Sequence, residues 1–128
     1  MSQESKIMFS IIGVSPERLC EVGDFLGLAA TRMTSAVLGN REEVAWTYDI
    51  ASGPYSSKDF LQDKLNQFLE SNSNRIRELG RKYRTEIAIS VTDDEVPSVG
   101  HLSVPPKTLA NLAESGVNLV IGFMQRGR

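Results

Sequence analysis

The chain contains very few of the residues that build disulfides and metal sites. Its 128 residues include one cysteine, Cys20, and one histidine, His101. An intramolecular disulfide is therefore excluded, and a zinc site made of cysteine and histidine has too few ligands. A single cysteine also fits a reducing compartment. We expect a cytoplasmic protein that uses no metal and no other cofactor.

Long apolar runs are missing as well. The first apolar segment, residues 7–14, is interrupted by Ser10 and Gly13 and follows a polar start. A secretory signal needs an unbroken apolar stretch, and a membrane-spanning helix needs about 20 apolar residues. The sequence therefore predicts no targeting segment and no membrane partner.

Motifs of the common enzyme classes are also absent. The chain has no G-x-G-x-x-G, no G-x-x-x-x-G-K-[ST] and no G-x-S-x-G, so it lacks those phosphate-binding loops and that nucleophile turn. Cys20 lies beside the apolar stripe of a predicted helix, which favours a buried structural thiol over a nucleophile. His101 is a lone histidine near a predicted strand, which favours an ordinary loop residue over a metal ligand. Together these observations favour a protein that is not an enzyme.

The residues that are present are typical of a globular domain. Apolar residues make up 41% of the chain and charged residues 23%, which argues against disorder. The length fits one domain covering residues 1–128, with disordered tails expected at residues 1–6 and 125–128. The larger aromatics have the spacing of a sheet face and a packing helix, so we expect them in the core: Trp46, Tyr48, Phe60 and Phe68.

Hydrophobic periodicity predicts an alternation of strands and helices. Strands are expected where apolar residues alternate or cluster, at residues 7–14, 31–38, 44–50, 85–91, part of 96–104, and 117–123. Helices are expected after Ser15-Pro16-Glu17, from Ser57, and after Pro105-Pro106, with glycine stops at Gly27 and Gly116. The polar run at residues 71–74 predicts a break in the second helix. This order predicts an α+β fold of two layers, in which helices lie largely on one face of an antiparallel or mixed sheet of about five to six strands.

Charge is unevenly distributed along the chain. The net charge is −2, but residues 75–84 carry five basic residues and Glu78 as the one acid. We predict that Arg77, Arg81 and Arg84 share one face of a helix and contact a partner. A weakly acidic chain argues against nucleic acid as that partner, since nucleic-acid-binding domains are strongly basic. A solvated helix face is the alternative.

Two further segments are candidates for partner contacts. Asp93, Asp94 and Glu95 are consecutive acids without the spacing of a calcium-binding loop, and a solvated loop is the simpler interpretation. Tyr55 lies in a Gly-Pro-Tyr-Ser-Ser segment outside the periodic pattern. Exposed aromatics in loops are effective contact residues, so Tyr55 is a candidate for the same surface.

Segments spread over most of the chain resemble one family. They are the opening strand with Ser15-Pro16-Glu17, the spacing from Gly39 to Trp46-Thr47-Tyr48, the helix of residues 57–69 with Ile76 and Leu79, and the Leu109-Ala110-x-Leu112-Ala113 helix with its closing strand. In these features the chain resembles the bacterial domain-of-unknown-function family 4279. The resemblance implies a small α+β domain and transfers no catalytic motif. Some small bacterial domains of this style are immunity proteins, which bind and neutralise a toxin.

We therefore expect a non-enzymatic protein-binding domain, in its most specific form a bacterial immunity or inhibitor protein that neutralises a toxin or effector through a charged surface. The expected contact residues are Arg77, Arg81, Arg84, Asp93, Asp94, Glu95 and Tyr55. A small-molecule-binding domain or an enzyme with a pocket at a sheet edge, near His101 and Asp94, is the alternative. A self-associating domain, whose partner is a second copy of the chain, is the third candidate.

Overall fold

The computed structural model describes residues 3–14, 16–38, 41–54, 58–93 and 104–125. Five strands and three helices lie in these ranges: β1 (Gln3–Val14), α1 (Pro16–Leu26), β2 (Arg32–Leu38), β3 (Arg41–Pro54), α2 (Lys58–Gly80), β4 (Arg84–Asp93), α3 (Pro106–Ser115) and β5 (Asn118–Gln125). Because β1 begins at Gln3 and β5 ends at Gln125, residues 3–6 and Gln125 belong to strands and not to disordered tails. Residues 96–103, where a further short strand is predicted, lie outside the described residues.

The five strands form one open, mixed sheet in the order β2-β3-β1-β4-β5. The central strand β1 is antiparallel to both β3 and β4, β2 is antiparallel to β3, and β5 is parallel to β4. The first four strands, together with α1 and α2, form the split βαβ arrangement. α3 then carries the chain from β4 to the parallel edge strand β5, since parallel neighbours need a crossover connection.

Alternation along the strands explains which face of the sheet the helices cover. Ile7, Phe9 and Ile11 of β1 are buried, whereas Met8 and Ser10 between them are half-buried. The buried face continues through Trp46, Ile87 and Ile89 in the sheet and through Leu65, Leu69, Ile76 and Leu79 of α2. The α+β prediction of two layers, with the helices on one face of a mixed sheet, is therefore confirmed.

Aromatic rings hold the two layers together at the centre of the core. The Phe9 ring lies edge-on to Trp46, with ring centroids 6.3 Å apart, and against Phe68 of α2 at 5.4 Å. Tyr48 stacks on Phe68 with centroids 5.7 Å apart. Such ring pairs contribute about 0.5–1.5 kcal/mol each beyond the area they bury. The strand spacing of Trp46 and Tyr48 therefore has the structural role that the sequence predicts.

α2 is one continuous helix of 23 residues, and the predicted break at residues 71–74 is wrong. The buried residues Leu69 and Ile76 lie on either side of the polar run. Their spacing is about two helical turns, so the apolar stripe keeps its direction across the run. Asn72 donates its side-chain amide to the Phe68 carbonyl at 2.8 Å. The amide therefore bonds within the helix, and burial on both sides outweighs the low helix propensity of the run.

Both predicted glycine stops are confirmed. Gly27 and Gly116 have φ angles of +71° and +70°. This left-handed conformation is the usual end of a helix, and glycine adopts it without a Cβ penalty. The Gly116 N–H donates to the Leu112 carbonyl at 3.0 Å, which satisfies one of the last carbonyls of α3.

Candidate functional site

Two of the predicted contact residues, Arg84 and Asp93, lie at opposite ends of the sheet. Arg84 begins β4 and is paired with Ile12, whereas Asp93 ends β4 and is paired with Gln3. At about 3.3 Å per residue the two positions are about 30 Å apart. Arg84 and Asp93 therefore do not belong to one compact surface.

The acidic and aromatic part of the prediction lies mostly outside the described residues. Tyr55, Asp94, Glu95 and His101 are among the residues that the structure does not describe, and so is the side chain of Asp93. The alternative pocket near His101 and Asp94 lies outside them for the same reason. The two strands that lead to these segments, β3 and β4, both reach the same end of the sheet, since Pro54 and Thr92 are each paired with Glu4.

The three predicted arginines do not share a helical face. α2 ends at Gly80, so Arg77 lies in the helix, Arg81 in the following turn and Arg84 in β4. The N–H of Tyr83 donates to the Leu79 carbonyl at 2.9 Å, a last helix-type hydrogen bond before the chain enters β4. The prediction of a single basic helix face is therefore wrong, and the physical reason is that the chain must reverse to enter the sheet.

Arg77 binds within the molecule. Its Nε donates to the Glu114 carbonyl at 2.8 Å, and its Nη2 donates to the same oxygen. Nη2 also lies 3.4 Å from the Glu114 carboxylate. Glu114 is in the last turn of α3, where free carbonyls carry partial negative charge, so the arginine caps α3 from outside. A structural role therefore accounts for Arg77.

Arg81 and Lys82 are the basic residues of this end that remain available. Arg84 Nε lies 3.5 Å from a Glu86 carboxylate oxygen. Arg81 and Lys82 are exposed, and among the described residues neither forms an ion pair. Of the basic segment at residues 75–84, the turn after α2 and the exposed Arg75 on α2 thus keep positive charge that no described acid pairs with.

A groove lies beside this turn, between α1 and the end of α2. It has a volume of about 250 Å³ and is lined by Arg18, Glu21, Val22, Phe25, Glu78, Leu79, Lys82 and Tyr83. We call it the α1/α2 groove. Val22 and Leu79 are buried and form its floor, while Phe25 is 45% exposed. The groove therefore joins an apolar floor and an exposed aromatic ring to two bases and two acids at its rim.

The α1/α2 groove is not predicted by the sequence patterns. One local signal was available: Phe25 precedes the buried Leu26 in α1 and lies off the stripe formed by Val22 and Leu26. A large apolar side chain that lies off the buried stripe of a helix points to solvent and indicates a candidate contact surface. The groove itself depends on α1 meeting α2, which no pattern within either helix encodes.

A second, wider depression lies at the end of α1. It has a volume of about 530 Å³ and is lined by Gly23, Asp24, Gly27, Leu28, Ala29, Ala30, Met33 and Trp46. Small-molecule sites combine an enclosed apolar space with several converging polar groups. This depression is wide open, and Asp24 is the one charged residue among those that line it, so it lacks the features of such a site.

A charged cluster lies on the sheet face opposite the helices. The Asp49 carboxylate lies 3.1 Å from Lys6 Nζ and 3.1 Å from Arg32 Nη2. Burial alone raises the pKa of Asp49, but the hydrogen bonds and charges of Arg32 and Lys6 outweigh burial and hold that pKa below its ordinary value. A carboxylate held ionised in this way is a poor general acid or base at neutral pH.

The described part of the chain contains neither a metal-binding cluster nor a membrane-spanning helix. There, no three histidine, cysteine, aspartate or glutamate residues lie close enough together to hold a metal ion. Each helix in the described ranges is too short or too polar to cross a membrane.

No protein-family model matches the chain, and no significant match was found among the curated protein sequences or the solved structures.

Proposed function

We propose that this chain is a protein-binding domain that holds an acidic partner at the α1/α2 groove. The observation that carries the proposal is the groove itself, with its apolar floor, its exposed Phe25 ring and a charged rim next to Arg81 and Lys82. Protein interfaces have the same arrangement, in which an apolar centre is surrounded by polar and charged residues.

The size of the groove fits a single side chain of a partner. Its volume of about 250 Å³ is close to the lower end of the range of about 300–1,000 Å³ that is typical of ligand pockets. It suits one large side chain inserted from a partner surface. Anchor residues of this kind carry most of the binding energy in protein complexes, and tryptophan, tyrosine and arginine are the commonest.

Charge supports an acidic partner. Arg18 and Lys82 are balanced at the rim by Glu21 and Glu78, and Arg81 in the adjoining turn adds positive charge that no described acid neutralises. A complementary negative patch speeds association and excludes partners of the wrong sign. We therefore infer a partner with an apolar side chain flanked by aspartate or glutamate residues.

In its most specific form, the proposal is that this domain inhibits the partner that it binds. The chain resembles the bacterial domain-of-unknown-function family 4279, and some small bacterial domains of this style are immunity proteins, so by analogy we propose a toxin or effector as the partner. A rigid surface built on two helices can block a partner without chemistry of its own, which fits the absence of enzyme motifs. A cytoplasmic location, where a lone cysteine stays reduced, belongs to the same proposal.

Matched variants test the site. Wild-type protein and its variants are immobilised, a host lysate is passed over them, and the retained acidic protein is identified, purified and titrated against each variant. Phe25→Asp and Arg81→Glu should each raise the dissociation constant at least about 30-fold if they disrupt central contacts. Met33→Asp, which changes a side chain of similar exposure on β2, and Arg75→Glu on α2 should leave it unchanged.

Inhibition is then measured with the purified pair. Wild-type protein should suppress the toxicity or activity of the partner, and the two groove variants should not. A partner that binds Phe25→Asp and Arg81→Glu as tightly as the wild type would remove the α1/α2 groove from the proposal. A partner that binds at the groove and keeps its full activity would retain the binding role and reject inhibition.

A further inference from the structure

We propose that the outer edge of β5 joins two copies of this chain into a weak, symmetric dimer. The edge strand β5 has one neighbour, β4, in the described sheet, and its other side ends the strand order. An edge strand presents unpaired N–H and C=O groups that another strand can satisfy. A second copy of β5, running antiparallel, supplies a partner strand of the same length.

The composition of β5 lacks the usual protection of an edge. Its sequence, Asn-Leu-Val-Ile-Gly-Phe-Met-Gln, contains no charged residue and no proline. Soluble proteins commonly place lysine, proline or a bulge on an edge strand to prevent pairing. Because β5 carries none of these, two copies can approach without like-charge repulsion between the strands.

Exposed apolar side chains cluster at this edge on both sides of the sheet. Val120 is 45% exposed and shares the uncovered sheet face with Ala88, while Ile121 is 40% exposed and shares the helix face with Ile89. Leu109 of α3 is 50% exposed. Five large apolar side chains are exposed among the described residues, and three of them thus belong to β5 or α3.

The position of Leu109 on α3 places it toward the sheet edge. Asn111 of α3 donates to Asn66 and Glu70 of α2, so that side of α3 faces α2. Leu109 is two residues before Asn111, about 200° around the helix, and therefore lies on the side away from α2. α2 packs on β3, β1 and β4, and β5 lies beyond β4 in the strand order, so the side of α3 away from α2 is the side nearer the β5 edge.

Symmetry favours a second copy over an unrelated strand. A two-fold axis that passes between the two copies of Ile121 places these residues opposite each other. It also pairs Val120 with Gly122, so the exposed valine meets a residue without a side chain. The edge is about 26 Å long and, with α3 beside it, covers about 400 Å² per copy. A total near 800 Å² is smaller than a standard interface, so the dimer is weak and depends on concentration.

Sedimentation equilibrium of the purified protein, from low micromolar to millimolar concentration, tests this inference. Wild-type protein should show a reversible monomer–dimer equilibrium. Val120→Lys, which places two like charges near the axis, should raise the dimer dissociation constant roughly tenfold or more. Met33→Lys changes a side chain that is 44% exposed on β2, at the opposite edge of the sheet, and should leave the constant unchanged.

Oxidative cross-linking locates the contact without relying on a weakened variant. Ile121→Cys should form a disulfide-linked dimer that reductant reverses, while Met33→Cys and the wild type, which contains Cys20, should not. A wild-type protein that stays monomeric at millimolar concentration would overturn the inference. So would a dimer that resists Val120→Lys and forms no cross-link at residue 121.

Discussion

Gly23 is the position where two opposing effects of one added methyl group can be separated. It lies in the interior of α1, where alanine is favoured over glycine by about 1 kcal/mol. A Cβ built on Gly23 would lie 2.7 Å from the Leu28 carbonyl oxygen and 3.7 Å from Trp46 Nε1. The Leu28 oxygen is a backbone atom, so relief requires α1 or the chain after it to move.

The clash outweighs the gain in helix propensity. Overpacking at a tight backbone contact costs about 1–3 kcal/mol, so we expect Gly23→Ala to lower the free energy of unfolding by about 1 kcal/mol overall. Gly80→Ala is the matched control, because its Cβ would lie 3.6 Å from Thr85 Oγ1 and 3.8 Å from the Gly116 carbonyl, which are ordinary contact distances. That variant should be unchanged or more stable by up to about 1 kcal/mol.

Urea denaturation followed by tryptophan fluorescence measures both variants. The chain has a single tryptophan, Trp46, which is 2% exposed and next to the altered position, so its emission reports unfolding directly. The denaturation midpoints of Gly23→Ala and Gly80→Ala should shift in opposite directions, or only the first should shift, with similar slopes. A Gly23→Ala variant as stable as Gly80→Ala would refute the packing of residue 28 against α1.

Three further predictions concern the core and the charged groups. Arg77→Met should lower the free energy of unfolding by about 1 kcal/mol because the Glu114 carbonyl loses its donor, while Arg81→Met should not change thermal stability. Phe9→Leu should cost about 1–2 kcal/mol, since two ring contacts disappear from a fully buried site, and chemical denaturation measures this loss. The pKa of Asp49 lies below its ordinary value when folded, so its stabilisation is present above the unfolded pKa and is lost as pH falls through the folded pKa. Denaturation across the acidic range should therefore show a smaller loss of stability for Asp49→Asn than for the wild type.

The two proposed surfaces are compatible with each other. The residues that line the α1/α2 groove belong to α1, α2 and the turn after α2, and none of them lies in α3 or β5. A dimer formed through β5 would leave both grooves open. Two grooves in one particle would let a dimeric or repetitive partner bind with an avidity above that of a single groove.

Short-range patterns in the sequence predicted most of the strands and helices and the residues of the core. Alternation at Ile7, Phe9 and Ile11 marks the central strand and its buried face, because successive side chains of a strand point to opposite sides. Gly27 marks the end of α1, because glycine adopts the left-handed conformation without strain. The helix break predicted from the polar run at residues 71–74 is wrong, because burial on both sides of the run decides the length of α2.

The sequence by itself determined where strands and helices form and which of their faces is buried, because these follow from periodicities of two and 3.6 residues. The tertiary structure decided which charged residues are free. Arg77 looks like part of a basic surface until α3 brings Glu114, 37 residues away in sequence, to its guanidinium group. The turn after Gly80 and the pairing of β4 with β1 place Arg84 and Asp93 at opposite ends of the sheet. Strand order and helix packing join residues that are distant in sequence, so the α1/α2 groove and the β5 edge arise from the fold alone.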